Sequence, residues 1–426
     1  MMTKVKVGIA GCGIVGIGVV DILQKRFEEF RELYQVELEL AVVVVRNIDS
    51  DRDIAFDKAI LTTDLAMLDN VDIVVELIGG DTVAKDVVLN AIHQKKHVVT
   101  ANKALVAKHW DILFEAVRGS QVMLKFEAAV AGAVPVIKTI QESLIGNKIE
   151  ELKGIINGTA NYILSEMESR GESLALILKE AQDLGYAEAD PTFDIEGFDV
   201  AHKLCILASL AYGVKVECED MYIQGITDLE VKDMAYIREL GYRIKLLAIA
   251  KKYEKGLDVR VHPALVPESQ ILGAVSGPYN AIDIKGHASG DILLYGQGAG
   301  RYPTAGAVVG DILDIARCLQ KEQPLPFFFS ERKKAEFIPI EDIENRYYIR
   351  LNVSDQPGVL AKITNIFGEH AIGIASVIQK EVVLEDQVPL VVMTGKARED
   401  NMRRSLDEIE ALDTVFGSPT LIRIED

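Results

Sequence analysis

Through the first third of the chain, short apolar bursts alternate with glycine-bearing turns and with runs whose apolar positions recur at helical spacing. Val5–Ile9 reads as a buried strand and Ile17–Gln24 as a helix. Leu38–Val45 is a second strand, and VDIVVELIGG (71–80) a third that ends in a glycine turn before a helix over Ala84–Gln94. Val98–Thr100 and Met123–Ala129 continue the series, the latter followed by a helix to about Leu144. Strands alternating with helices predict a parallel sheet covered on both faces. LKGIINGTANYILSEM (152–167) gives one more strand, a turn at Asn157–Thr159 and a helix.

The pattern then changes. Gly185–Lys203 (GYAEADPTFDIEGFDVAHK) is crowded with acids: Glu188, Asp190, Asp194, Glu196 and Asp199. Pro191 and Gly197 break its first part into loop. From Asp199, which can cap or open it, a helix follows that is apolar nearly all round, with Leu204, Ile206, Leu207 and Leu210. Asp199 and Lys203 are four apart and share a face. An exposed pair of this kind is a solvated ion pair of little consequence. On a buried helix, beside several carboxylates, a lysine instead fits a polar small-molecule site with a proton donor. Residues 214–320 mix strands and helices and end in GQGAGRYPTAGAVVGDIL, with a helix from about Thr304. Residues 321–345 carry Pro324, Pro326 and Pro339 and read as a linker. The tail reads strand 347–353, helix 358–369, strand 374–380, strand 388–394, helix 398–411, strand 420–424. That βαββαβ order is ferredoxin-like.

Length and charge narrow the classes. The 426 residues suffice for two or three domains. Half the chain (49%) is apolar and 26% charged, an ordinary globular composition. A net charge of −19 argues against nucleic acid or an anionic membrane as partner. It also argues against an RNA-recognition tail, which would need an aromatic strand signature that this tail lacks. Cys12, Cys205, Cys218 and Cys318 are scattered without metal spacing, which fits a reducing cytoplasm and no structural zinc. No apolar run is long enough to span a bilayer, and the N-terminus lacks a signal-peptide layout.

Three stretches carry candidate chemistry. GCGIVG (Gly11, Gly13, Ile14, Val15, Gly16) lies between the first strand and helix, the context in which a glycine-rich turn admits a pyrophosphate at a helix N-terminus. The second strand ends in Arg46, where enzymes that use NAD have an acid. An arginine there can meet the 2′-phosphate of NADP. Thr100 and Lys103 lie at the carboxyl end of a sheet strand, where ligands of open α/β sheets collect. Gly158 and Thr159 open a helix suited to an anionic or carbonyl oxygen.

The acidic stretch closely resembles the homoserine dehydrogenase signature, roughly GYxExDPxxDxxGxDxxxK, although Ala189 stands where many relatives have proline. TANK (100–103) and NGTANYI (157–163) match further motifs of that family, and SDQPGVLAKI (354–363) is similar to the ACT domain. The resemblance covers essentially the whole chain. It implies an α/β protein with a Rossmann-type dinucleotide-binding domain (1–130, closed by a returning segment at about 300–320 that includes Gly300). An α+β catalytic and dimerisation domain (131–320) follows, then the linker and an ACT regulatory domain (346–426). The implied reaction interconverts aspartate 4-semialdehyde and homoserine with NADP(H) or NAD(H), in threonine, methionine and isoleucine biosynthesis. Lys203 would be the general acid, Asp199 its orienting partner, and Lys103 would contact cofactor and substrate. Glu188 and Asp194 would hold the substrate ammonium, with Gly158, Thr159 and Tyr186 lining the site. A monovalent cation, sodium by resemblance, would bind Glu127 and the carbonyls of Val130, Gly132 and Val134. Threonine would act through Asp355 and Gly358 of the tail, in a homodimer or homotetramer. No amino-acid kinase is expected ahead of the first strand.

Two alternatives stay open at this stage. A phosphorylating semialdehyde dehydrogenase would need a thiolate, and no cysteine has a convincing setting for one. A non-catalytic sensor of dinucleotide and amino acid would not need Lys203 and Glu188, and both are present. The strand-end arginine generates one test. Arg46→Asp is expected to lower kcat/KM with NADP(H) relative to NAD(H), measured at 340 nm with each cofactor. An unchanged ratio removes Arg46 from cofactor choice.

Overall fold

The computed structural model describes residues 4–53, 60–320, 332–379 and 387–426. They pack as two compact units: 1–150 with 202–219 and 279–334, and 151–201 with 220–278 and 335–426. Residues 321–331 of the expected linker and residue 380 of the expected tail strand lie outside the described residues.

The first unit is built on a six-stranded sheet. Its spatial order is Leu61–Thr62, Leu38–Val44, Val5–Ala10, Ile73–Glu76, His97–Thr100, Leu124–Lys125, and the pairings are parallel. This is the doubly wound order in which the chain starts at the centre and reverses direction. The strands read as apolar runs because helices cover both faces. Helix Ile14–Tyr34 lies against the returning helix Arg301–Gln320, and their core includes Val19, Leu23, Val308 and Ile312. A Cβ on Gly18 would come within 2.9 Å of the Ala305 Cβ, so the two backbones are close.

The expected strand over Met123–Ala129 is shortened. Only Leu124–Lys125 pairs; Glu127–Ala129 forms a 3₁₀ turn. The expected helix to Leu144 becomes a short turn, Val136–Lys138, running into a π-helical segment, Thr139–Ser143. Ala131 and Gly132 have φ of +57° and +52°, so the backbone bends away before strand pairing can continue.

In the second unit, a long hairpin joins Tyr242–Tyr253 to Gly256–Pro267. The tail has the expected βαββαβ order: Glu344–Ser354, Val359–Glu369, Ile374–Gln379, Gln387–Thr394, Glu399–Glu410, Thr420–Ile424. Its own core contains Tyr347, Ile363, Phe367 and Met402.

Beyond the stretch read as a linker, the tail does not stand apart: its strands continue the sheet of the second unit. The last strand pairs in parallel with Gly256–Pro267, setting Ala264 opposite Arg423 and Leu265 opposite Ile424. Three buried arginines fasten this seam. Arg260 donates to Glu425 (2.6 Å). Arg350 donates to Asp233 (2.6 and 3.2 Å), which also accepts from the Tyr348 hydroxyl (2.9 Å). Arg423 is paired with Glu399 and reaches Gln224 and Tyr222, both at 3.1 Å. The tail's sheet is thereby an extension of the sheet that carries the hairpin.

Among the described residues, no helix is long and apolar enough to cross a membrane. Arg350→Ala would leave Asp233 buried without its cation, and a loss on the order of 3–5 kcal/mol is expected. Calorimetry checks it, and the double variant Arg350→Met with Asp233→Leu should recover most of the loss. A change within about 0.5 kcal/mol would mean the pair behaves as a surface bridge.

Candidate active site

The dinucleotide half is organised by glycines and one buried acid. Gly11 has φ +100°, and a Cβ there would lie 2.4 Å from the Leu77 carbonyl. A Cβ on Gly16 would lie 2.4 Å from the Gly11 carbonyl, whereas Gly13 has nothing within 4 Å. Two glycines therefore make the turn, and the third leaves open space beside the start of the helix. Gly13 precedes that helix and gives it no side-chain cap, so its first N–H groups are left for a ligand such as an anion.

At the carboxyl ends of the neighbouring strands, Glu76 is fully buried. It accepts from the Thr100 hydroxyl (2.6 Å) and the Ile78 N–H (2.7 Å), and burial pushes its pKa up. Asn102 receives an N–H from Leu105 (3.0 Å) and so caps helix Lys103–Lys108, which places Lys103 in its first turn. The sequence analysis missed Glu76; an acid closing an apolar strand was its signal.

Arg46 is exposed just beyond Leu38–Val44. The loop after it is held by Arg52, also missed, which donates to the carbonyls of Asn47 (2.9 Å), Ile48 (3.2 Å) and Ser50 (2.9 Å). Gly300, at φ +121°, leads into helix Arg301–Gln320. Burial raises the pKa of the Cys12 thiol. The Cys205 thiol is raised by its hydrogen bond with Cys218 and by burial. Neither is poised as a thiolate.

Glu127 lies in the 3₁₀ turn, with its carboxylate receiving N–H groups from Ile137 (2.9 Å) and Lys138 (2.8 Å). Burial first, then the nearby Asp311, lifts its pKa to about 7. The backbone through Val130, Gly132 and Val134 is the bent stretch with two positive φ values. Among the described residues, no three His, Cys, Asp or Glu side chains converge to hold a metal ion.

The substrate half centres on a residue that the sequence analysis placed only in a turn. Asn157 is 5% exposed. Its amide nitrogen donates to Asp194 (2.7 Å) and to Asp199 (2.7 Å), and its oxygen accepts from Ala160 N–H (2.7 Å), capping helix Gly158–Arg170. Asp199 is buried in the first turn of helix Phe198–Tyr212. Lys203 stands one turn further along the same helix. The acceptor oxygens are about 4–5 Å apart, since one planar NH₂ reaches both. Two carboxylates that close repel by roughly 3–4 kcal/mol at an effective dielectric of about 20, so the site calls for positive charge.

Nearby, the Thr159 hydroxyl donates to the Tyr186 carbonyl (2.7 Å), and the Tyr186 ring lies 4.9 Å from that of Tyr162. Gln182 donates to the carbonyls of Glu188 (3.0 Å) and Ala189 (3.3 Å), holding the loop that exposes Glu188.

Comparison with known proteins identifies the family. Three family models match: the homoserine dehydrogenase NAD-binding domain over 11–127, homoserine dehydrogenase over 135–313, and the ACT domain over 347–412. A homoserine dehydrogenase of Pseudomonas aeruginosa is 43% identical, over 100% of this chain and 99% of that one. The chain belongs to the homoserine dehydrogenase family. A second relative, from Neisseria gonorrhoeae, is 41% identical with the same coverage. The crystal structure of a homoserine dehydrogenase from Thiobacillus denitrificans superposes with a TM-score of 0.92, at 44% identity, over 100% of this chain and 99% of that one. A hyperthermophilic archaeal homoserine dehydrogenase in complex with NADPH has a TM-score of 0.62 at 25% identity, covering 74% of this chain and 98% of that one. The chain is thus an oxidoreductase of that family, with a nicotinamide dinucleotide domain and an ACT domain.

Proposed function

We propose that this chain reduces L-aspartate 4-semialdehyde to L-homoserine at the acids gathered by Asn157, with Lys203 as general acid. The observation that carries it is the Asn157-tied pair of Asp194 and Asp199, with Lys203 one turn beyond Asp199. NADPH, when bound, supplies the hydride that adds to the aldehyde carbon. The carbonyl oxygen then gains negative charge and needs a proton, which Lys203 delivers from its ammonium group. Asp194 and Glu188 bind the substrate ammonium. Asp199 orients Lys203. Lys103 contacts cofactor and substrate from the first turn of its capped helix.

Arg46 favours NADP(H), and Arg52 supports that preference by bracing the loop that follows it. For the cation, the bent carbonyl loop and a buried carboxylate fit a hard monovalent ion such as sodium. Such an ion would hold Glu127, Val130, Gly132 and Val134 together and stabilise Glu127 in its charged form. Homo-oligomeric assembly and a cytoplasmic location belong to the same reading and rest on the resemblance.

Lys203→Ala is expected to lower kcat by about 10²–10⁴-fold with cofactor binding near wild type. Steady-state kinetics and cofactor fluorescence read the two separately. Retention of more than about a tenth of wild-type kcat would remove Lys203 from proton transfer.

The regulatory reading is that an amino acid, threonine by resemblance, lowers activity by binding at the turn before helix Val359–Glu369. Gly358, at φ +94°, precedes that helix without a side-chain cap. Removing the tail is a poor test, because Glu425 partners the buried Arg260 of the long hairpin and Arg423 reaches Gln224. Instead, wild-type activity is titrated with threonine, methionine and isoleucine and compared with Asp355→Ala and Gly358→Asp. Inhibition in the wild type and its loss in the variants are expected, with a coupling of about 1–3 kcal/mol. No response in the wild type, or undiminished response in both variants, would refute it.

A further inference from the structure

We infer that Asn157 is a positioning residue for this reaction, through the two carboxylates it holds; the inference rests on the reading that Asp194 serves substrate and Asp199 serves Lys203. Every hydrogen-bonding group of its side chain has an assigned use. One amide proton goes to Asp194, the other to Asp199, and the oxygen caps the helix at Ala160. A primary amide offers two donors and an acceptor on one planar group, and serine, aspartate or a lone N–H cannot supply that combination.

The donor is neutral, and this is the decisive feature. An arginine at the same place would hold the two acids as firmly and cancel their charge. Asn157 fixes their positions without adding a charge of its own. Its own backbone is fixed by the strand Ile149–Ile155 before it and the helix after it, so the acids are tied to two rigid elements. Asp194 itself lies in the short helix Thr192–Ile195 of a loop broken by proline and glycine, and Asp199 lies in the next helix. Backbone hydrogen bonds hold the loop itself, such as Ile226 N–H to the Ile195 carbonyl (2.8 Å), and the shared amide links the two carboxylates directly.

The cap and the tether can be separated by substitution. Serine and aspartate both cap helices about as well as asparagine, so Asn157→Ser and Asn157→Asp keep the acceptor for Ala160 N–H. Serine offers one short donor, and aspartate adds a third carboxylate. Both variants are expected to melt within a few degrees of wild type and to bind NADPH as wild type does. The value of kcat/KM for homoserine should fall on the order of 10²-fold for serine, the scale of a misplaced group, and further for aspartate.

The pH profile provides a readout that loss of a cap would not move. Hydrogen bonds donated to a carboxylate stabilise its charged form, so their loss raises its pKa. In the reduction direction the basic limb belongs to Lys203, so the acidic limb of log kcat/KM for aspartate 4-semialdehyde should shift to higher pH in Asn157→Ser. Asp194→Asn is measured in parallel. If Asn157→Ser keeps kcat/KM within about three-fold with its acidic limb unmoved while Asp194→Asn is crippled, the tether proposal fails and the roles of the acids stand. If both variants are near wild type, the reading of the acid pair falls with it.

Discussion

A carboxylate taken out of water must be given hydrogen bonds or a cation, and how this chain meets that demand separates its scaffold from its chemistry. Where the partner is arginine, the acid is locked. Asp233 with Arg350 and Glu425 with Arg260 bind the tail to the rest of the second unit, and Glu399 holds Arg423 within the tail where it reaches Gln224 and Tyr222. Where the donor is a neutral N–H or hydroxyl, the acid is positioned without a cation from that donor, and burial raises the pKa of Glu76 and Glu127. Glu76 is held by Ile78 N–H and Thr100, Glu127 by two backbone N–H groups, and Asp194 with Asp199 by one amide. The neutral-donor cases fall at the dinucleotide strands' carboxyl ends, at the bent carbonyl loop and in the acidic signature. These are the positions where a ligand would bring its own charge.

Much of the fold was legible because periodicity and turn chemistry agreed. The parallel sheet, the glycine turn and the six elements of the tail fall within a few residues of their expected places. Met123–Ala129 misled because its apolar run continues past Lys125, while the following AGAVP lets the backbone turn out of the sheet. The tail's attachment could not be read from local pattern. Prolines and charges signal a boundary, but Arg260 and Glu425 are 165 residues apart, and nothing local to either one names the other. The site was half legible for the same reason. Acids in a motif can be listed from sequence, whereas the residue between them, Asn157, lies 37 and 42 positions from its two partners.

That tethering gives the regulatory reading a physical path. Arg423, on the tail's last strand, donates to Gln224 and Tyr222. The same short segment hydrogen-bonds onward: Gln224 N–H to the Val261 carbonyl (2.8 Å) and Ile226 N–H to the Ile195 carbonyl (2.8 Å). Ile195 directly follows Asp194. Between them, a Cβ on Gly225 would sit 2.4 Å from the Ile195 carbonyl, so this segment and the acidic loop meet backbone to backbone with no side chain to cushion a shift. Close-packed contacts of this kind transmit small displacements, where a flexible linker would absorb them. A ligand that favoured one position of the last strand over another would therefore bias the placement of Asp194, and with it the amide that Asp194 shares with Asp199. The coupling needs no large motion. It needs only that the tail be part of the catalytic sheet, which the parallel pairing of Arg423 and Ile424 with Ala264 and Leu265 makes it.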